Sequence, residues 1–126
     1  MQKLVYPACF YPYSNEDGNG YTVIVPDLPG CVTGGESLAE AIEMGVDAAS
    51  GWVLTEMEDG KPIPVASKPE DISADEEPNG FVSMLVLDMD TYAEKYGNKA
   101  VRKNLNVSRI LQDALSAMYL KQSPSL

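Results

Sequence analysis

Hydrophobic side chains recur with a period of two at the start of the chain. Leu4, Tyr6, Ala8, Phe10 and Pro12 share one parity in a stretch rich in aromatic and β-branched residues, which predicts a strand from Leu4 to Tyr13. The polar run SNEDGNG, Ser14 to Gly20, reads as a hairpin turn, with Asp17-Gly18 and Asn19-Gly20 supplying positive-φ positions. Tyr21 to Val25 is almost wholly apolar or β-branched and predicts a central second strand. Pro26, which has no N–H for the ladder, ends it. DLPG, Asp27 to Gly30, fits a tight turn. Cys31 to Thr33 leaves room for a short third strand that Gly34 and Gly35 should break.

The period then changes. Leu38, Ala41, Ile42, Gly45, Val46, Ala49, Trp52, Val53 and Met57 recur at spacings of three and four, an apolar stripe flanked by Glu36, Glu40, Glu43, Asp47, Glu56 and Glu58. Ser37, with Glu40 three positions on, is a capping box, and Asp59-Gly60 is a stop. A helix of about 20 residues, about 30 Å long, is predicted between them. Lys61 to Gly80 carries four prolines and a run of acids and predicts an extended connection over the surface. Phe81 to Leu87 reads as a strong strand, and DMDTYAEKYGN turns helical for a turn or two, ending near Gly97. Further on, Val101, Lys103, Leu105 and Val107 alternate with Arg102, Asn104 and Asn106, a short strand with a polar face. Ile110, Leu111, Ala114, Leu115 and Met118 then form a helical stripe. The order predicts an α+β fold: a β-β-β-α-β antiparallel sheet with one long helix packed on it, then a short C-terminal strand-helix segment.

Totals narrow the chemistry. The 126 residues suit one compact domain with a small appendage. The chain has no histidine, which excludes His-based acid/base work, Ser-His or Cys-His nucleophiles and His-containing zinc sites. Cys9 and Cys31 make no disulfide framework and read as buried small hydrophobes in a reducing cytoplasm. No apolar run reaches the roughly 18 residues of a membrane span, and the first residues lack the apolar centre of a signal peptide. Charge is divided unevenly. Up to Asn98 eighteen acidic side chains face four basic ones, a net of −14; from Lys99 onward five basic face Asp113 alone, a net of +4. Such a division suggests two surfaces with two kinds of partner.

Three constellations could carry chemistry. Asp27 and Cys31 share the glycine-rich stretch GYTVIVPDLPGCVTGGES, but no basic neighbour is there to make a thiolate, and a turn-forming aspartate explains Asp27. Its glycines match neither phosphate-cradling motif. Asp27, Asp88 and Asp90 end predicted strands, where carboxylates can hold Mg²⁺ for phosphodiester chemistry; two acids spaced by one residue also make an ordinary helix start. Arg102, Asn104 and Asn106 share a strand face that could read guanine and adenine as half of a two-stranded ribbon in the major groove. A solvated edge strand explains that face equally well. Since a ribbon needs a second copy, DNA binding would imply a dimer.

The run GYTVIVPDLPGCVTGGESLAEA, followed after the helix by EDGKPIPVAS, closely resembles the HicB-type antitoxins, bacterial proteins of type II toxin–antitoxin pairs. The resemblance covers Leu4 to about Ser67 and, more loosely, Phe81 to Leu120. It implies a sheet-and-helix body like a degraded ribonuclease H half, and a non-enzymatic task without cofactor or metal. That task is to sequester a small basic mRNA-cleaving toxin of the HicA type, whose catalytic histidine is covered in the complex. The acidic helix flank Glu36, Glu40, Glu43 and Asp47 is the candidate toxin-binding surface, since opposite potentials speed encounter.

Ribbon-helix-helix members of the family end in a strand, a helix, a turn and a second helix. Here VRKNL runs straight into NVSRILQDALSAMYL. The 28 residues from Lys99 onward fall short of the roughly 40 that such a unit takes at ordinary lengths. Residues 1–90 are therefore expected to form the HicB-like body and 91–126 a dimerisation segment, burying Val101, Leu105, Ile110, Leu111, Leu115 and Met118 between chains. Operator DNA would be a second partner through Arg102, Asn104 and Asn106. Two other readings stand beside this one: a dimeric DNA-binding regulator without a cognate toxin, and a residual metal-dependent nuclease.

Overall fold

A computed structural model describes residues 3–97. The strand and helix expected after Lys99 lie outside the described residues. With them go Arg102, Asn104, Asn106, Val101, Leu105, Ile110, Leu111, Leu115 and Met118.

Four strands form one antiparallel sheet: β1 (Leu4–Asn15), β2 (Gly18–Ile24), β3 (Val32–Gly35) and β4 (Phe81–Leu87), in the spatial order β3-β2-β1-β4. The β1–β2 hairpin is tighter than its polar composition suggests, because pairing continues to Asn15 opposite Gly18. Asn15 Oδ1 accepts from the Asp17 backbone N–H at 2.9 Å, and Gly18, at φ +131°, leads the chain back into the ladder. Asn19 and Gly20 are strand residues without the positive φ expected of them. After β2 the chain makes two linked turns, Leu28 N–H to the Val25 carbonyl (3.1 Å) and Cys31 N–H to the Leu28 carbonyl (2.9 Å). In the second, Pro29 and Gly30 (φ +82°) take the places that a type II turn reserves for proline and glycine. Leu28 is fully buried, so this loop also plugs the core.

Gly34 and Gly35 do not break β3; they belong to it, opposite Thr22 and Tyr21. The reason is crowding. A Cβ on Gly35 would lie 2.5 Å from the Ala41 backbone nitrogen, and one on Gly34 would lie 2.7 Å from the Tyr21 carbonyl oxygen. The bare Gly35 lets the start of the long helix rest directly on the edge strand, and the bare Gly34 makes room for the Tyr21 carbonyl of β2.

That helix, α1 (Leu38–Glu58), is capped as its sequence predicts, Ser37 Oγ accepting from the Glu40 N–H at 3.1 Å. The returning Glu40 carboxylate accepts from Glu36 rather than from Ser37 (3.1 Å). At the far end Gly60 (φ +69°) donates to Met57 and Lys61 to Glu56, the paired bonds of a Schellman stop. Its contact line follows the row Ala41, Gly45, Ala49, Val53, Met57, all buried. Small residues draw the helix close: a Cβ on Gly45 would meet Leu85 at 3.2 Å and Val23 at 3.4 Å. The buried stripe is therefore narrower than the apolar one, and Leu38 and Ile42 stay exposed. On the opposite flank Ser50 and Leu54 are buried although the periodicity gave no hint of it. There α2 (Met89–Tyr96) packs on α1, and a Cβ on Gly51 would lie 3.1 Å from the Tyr92 hydroxyl. Met89 and Ala93 join the same core, so the body continues past residue 90 to the end of the described residues.

Residues 61–80 are extended, with one 3-10 turn at Pro69–Asp71, but they are more than a surface connection. Ile63 is fully buried and belongs to the core. The segment starts on the helix side, where Tyr6 donates to the Pro64 carbonyl, and finishes on the other face, where Cys9 Sγ contacts the Ser73 carbonyl at 3.8 Å. Consequently β1 is buried on both faces between Tyr6 and Tyr11. The other half of that second face, over β2 and β3, stays open: Thr22 and Ile24 are half-buried and Val32 is 58% exposed.

Candidate functional site

Asp27 is neither a nucleophile's partner nor a metal ligand in waiting. Both carboxylate oxygens are taken by one residue forty positions away: Oδ2 accepts from the Ser67 backbone N–H (2.8 Å) and Oδ1 from the Ser67 hydroxyl (2.7 Å). Its negative charge adds to burial in holding the nearby Tyr6 hydroxyl protonated far above the ordinary tyrosine range, burial being the larger effect. Tyr6, Asp27, Pro64 and Ser67 thus form one polar fastening between the turn after β2 and the proline-rich segment. Cys31 is buried, and burial pushes its thiol above the usual value, the opposite of what a reactive thiolate requires. Cys9 is likewise a buried free thiol raised by burial.

The strand-end acids separate in the same way. Asp88 caps α2, its Oδ1 accepting from the Thr91 N–H at 3.2 Å. Among the described residues no group of three or more acids, cysteines or histidines converges to hold a metal ion. The arrangement that phosphodiester chemistry needs is not assembled by Asp27, Asp88 and Asp90.

The acidic flank of α1 is real as a surface. Glu36, Glu40, Glu43 and Asp47 are all exposed; the last three, on the helix at 100° per residue, fall within an arc of about 60°, and Glu36 lies just ahead of the Ser37 cap. Glu40 is partly engaged by its bond to Glu36. The flank runs into a groove of about 320 Å³ between α1, α2 and the end of β4, lined by Glu43, Asp47, Asp88, Tyr92, Lys95 and Tyr96. Tyr92 packs against Tyr96 (ring centroids 4.7 Å apart), and Lys95 lies over the Tyr96 ring.

A second surface went unseen in the sequence. On the open half of the sheet's other face a groove of about 560 Å³ is lined by Tyr11, Tyr13, Thr22, Ile24, Glu76 and Glu77, with Pro12, Pro78 and Asn79 at its margins. Tyr13 is 44% exposed; its ring lies over Gly20, where a Cβ would come within 2.6 Å of the hydroxyl oxygen. Tyr11 is buried below, its hydroxyl against Cys9 and the Glu76 backbone, and a Cβ on Gly80 would meet its ring at 2.6 Å. The only signal for this groove is that β1 is as apolar on its second parity, Val5, Pro7, Cys9, Tyr11, Tyr13, as on its first. A strand apolar on both faces needs a cover on both, and only the structure says where the cover stops.

Comparison with known proteins fits this architecture. The model of the HicB-like antitoxin of bacterial toxin-antitoxin systems matches residues 6–124. An uncharacterized 14.9 kDa protein from the rep-hol intergenic region of Haemophilus phage HP1 is 30% identical over 108 residues, covering 86% of this chain and 76% of that protein. Among solved structures, a chain of the toxin-antitoxin complex from Streptococcus pneumoniae superposes with a TM-score of 0.64 at 24% identity, over 93% of this chain and 99% of that one. A chain of the HicA3 and HicB3 toxin-antitoxin complex gives 0.53 at 21% identity, over 68% of this chain and 99% of that one. With its family match running through the sheet, the helix and the segment fastened across them, this chain belongs to the HicB-like antitoxin family of bacterial toxin-antitoxin systems.

Proposed function

We propose that the chain is a non-enzymatic antitoxin that acts in the cytoplasm by binding and covering a small basic mRNA-cleaving toxin of the HicA type. The observation that carries this reading is the family match over residues 6–124. The body's charge supports it: eighteen acidic against four basic side chains suit a basic partner and speed the right encounter. The chain has no histidine of its own, in keeping with a protein that works by occupancy rather than by acid/base chemistry.

A tagged copy expressed in the native host, purified and examined by mass spectrometry, tests the proposal. A near-stoichiometric small basic protein that carries a histidine, and whose mRNA cleavage stops when this chain is added, is the expected result. Recovery of the chain alone, or of a partner whose cleavage continues unaltered in the complex, overturns it.

A further inference from the structure

We infer that the groove on the open half of the sheet accepts an arginine side chain from the partner, and that this face, rather than the acidic flank of α1, is where a basic protein is held. The inference deepens the antitoxin reading and rests on it for the partner's identity.

The two surfaces differ in what they offer a cation. Glu36, Glu40, Glu43 and Asp47 are exposed at the start and along the flank of α1, where exposed ion pairs contribute little to holding power, and in the groove beside α2 Lys95 already places a positive charge among Glu43, Asp47 and Asp88. The groove on the sheet combines an aromatic face, an apolar floor and a charged wall. Tyr13 is half-exposed and lines the groove, with the hydroxyl end of its ring lying over the bare Gly20. Thr22 and Ile24 form the floor. Glu76 and Glu77, both exposed, form the wall.

An arginine is the side chain that uses all three. Its planar guanidinium stacks on a tyrosine ring, pairs side-on with a carboxylate, and rests its methylene stem on apolar floor. A phosphate or nucleic-acid backbone is repelled by the same wall. The backbone that carries the wall is tied to the sheet: the Glu76 backbone lies against the Tyr11 hydroxyl, and the bare Gly80 lets the chain run close over the Tyr11 ring. The backbone then needs little ordering at the moment of binding, and only the two glutamate side chains remain to be fixed. Val32, 58% exposed on the adjoining edge strand, extends the apolar floor beyond the groove. A partner patch with an arginine projecting from apolar surroundings would fit there.

Two probes test this on the full chain. The first is N-acetylarginine amide, titrated to concentrations on the order of 10 mM while backbone and side-chain NMR signals are followed. Shifts gathered at Tyr13, Thr22, Ile24, Glu76 and Glu77, and lost in Tyr13→Ala/Glu76→Lys/Glu77→Lys, are expected; all three substituted side chains are exposed, so the fold should survive, as circular dichroism would verify. Shifts centred on Glu36 to Asp47, or spread evenly over the acidic side chains, overturn the inference. The second probe is the purified HicA-type protein obtained from the pull-down. Dissociation about tenfold faster from the groove variant, with α1 charge neutralisation changing mainly the association rate, is the expected pattern. Unchanged dissociation from the groove variant sinks the groove while leaving the antitoxin reading intact. No binding by the unmodified chain sinks the antitoxin reading, and the arginine titration alone then decides the groove.

Discussion

At the scale of single residues, Asp27 shows how a plausible catalytic position becomes a structural one. Its sequence neighbourhood explains a turn, and the turn is there. What the local pattern cannot contain is Ser67, forty positions on, whose backbone N–H and hydroxyl occupy both carboxylate oxygens at 2.8 and 2.7 Å. Removing the carboxylate leaves a part-buried N–H and hydroxyl to find new partners. Asp27→Ala should therefore lower stability by about 1–3 kcal/mol, read as a lower urea midpoint at unchanged m-value. Asp27→Asn should lose less, because its amide oxygen still accepts one of the two bonds. Equal losses would mean that the negative charge of the Asp27 carboxylate matters more than the number of hydrogen bonds it accepts. The cysteines were legible as buried hydrophobes from their number and setting alone, since nothing near either one in sequence favours a thiolate.

At the scale of elements, the reading was best where one period ran long. The bounds of α1, its Ser37 cap and its Gly60 stop follow from sequence because each depends on residues within a turn of the helix end. Which positions that helix buries does not follow, since the answer depends on Gly45 meeting Leu85 and Val23, and on α2 arriving over Gly51. β3 was misjudged for a related reason. Its two glycines are weak strand residues by propensity, yet Gly34 clears the Tyr21 carbonyl and Gly35 is what allows the strand and the helix start to touch. Gly35→Ala should consequently be more damaging than an exposed strand substitution, because its Cβ meets helix backbone at 2.5 Å and backbone cannot swing aside. A loss of about 1–3 kcal/mol in chemical denaturation is expected, against no more than about 0.5 kcal/mol for Val32→Thr at an exposed position of the same strand. If the two substitutions cost the same, crowding at β3 is not what places α1.

At the scale of the whole molecule, charge and connectivity were readable to different degrees. The imbalance of eighteen acids to four bases is a count, and any fold of this chain must display it. It predicts that association with a basic toxin slows as ionic strength rises, about tenfold or more between low salt and a few hundred millimolar, with much less change in dissociation. A salt-independent association rate would detach the acidic surface from recognition. The route of residues 61–80 was not readable, because a polar, proline-rich run looks the same whether it wanders over a surface or straps two faces of a sheet together. The pairing of β1 with β4, which follows that strap in the chain, has an implication for how the molecule is made. Leu4 pairs with Leu87 and Phe10 with Phe81, so one side of the first strand can be covered only by almost the last part of the body to be synthesised. While the chain is still growing, β1 has its hairpin partner β2 but presents a bare, strongly apolar edge to the surrounding cell. A transcript cut short before Phe81 would leave that edge permanently open and yield an insoluble fragment rather than a weaker antitoxin.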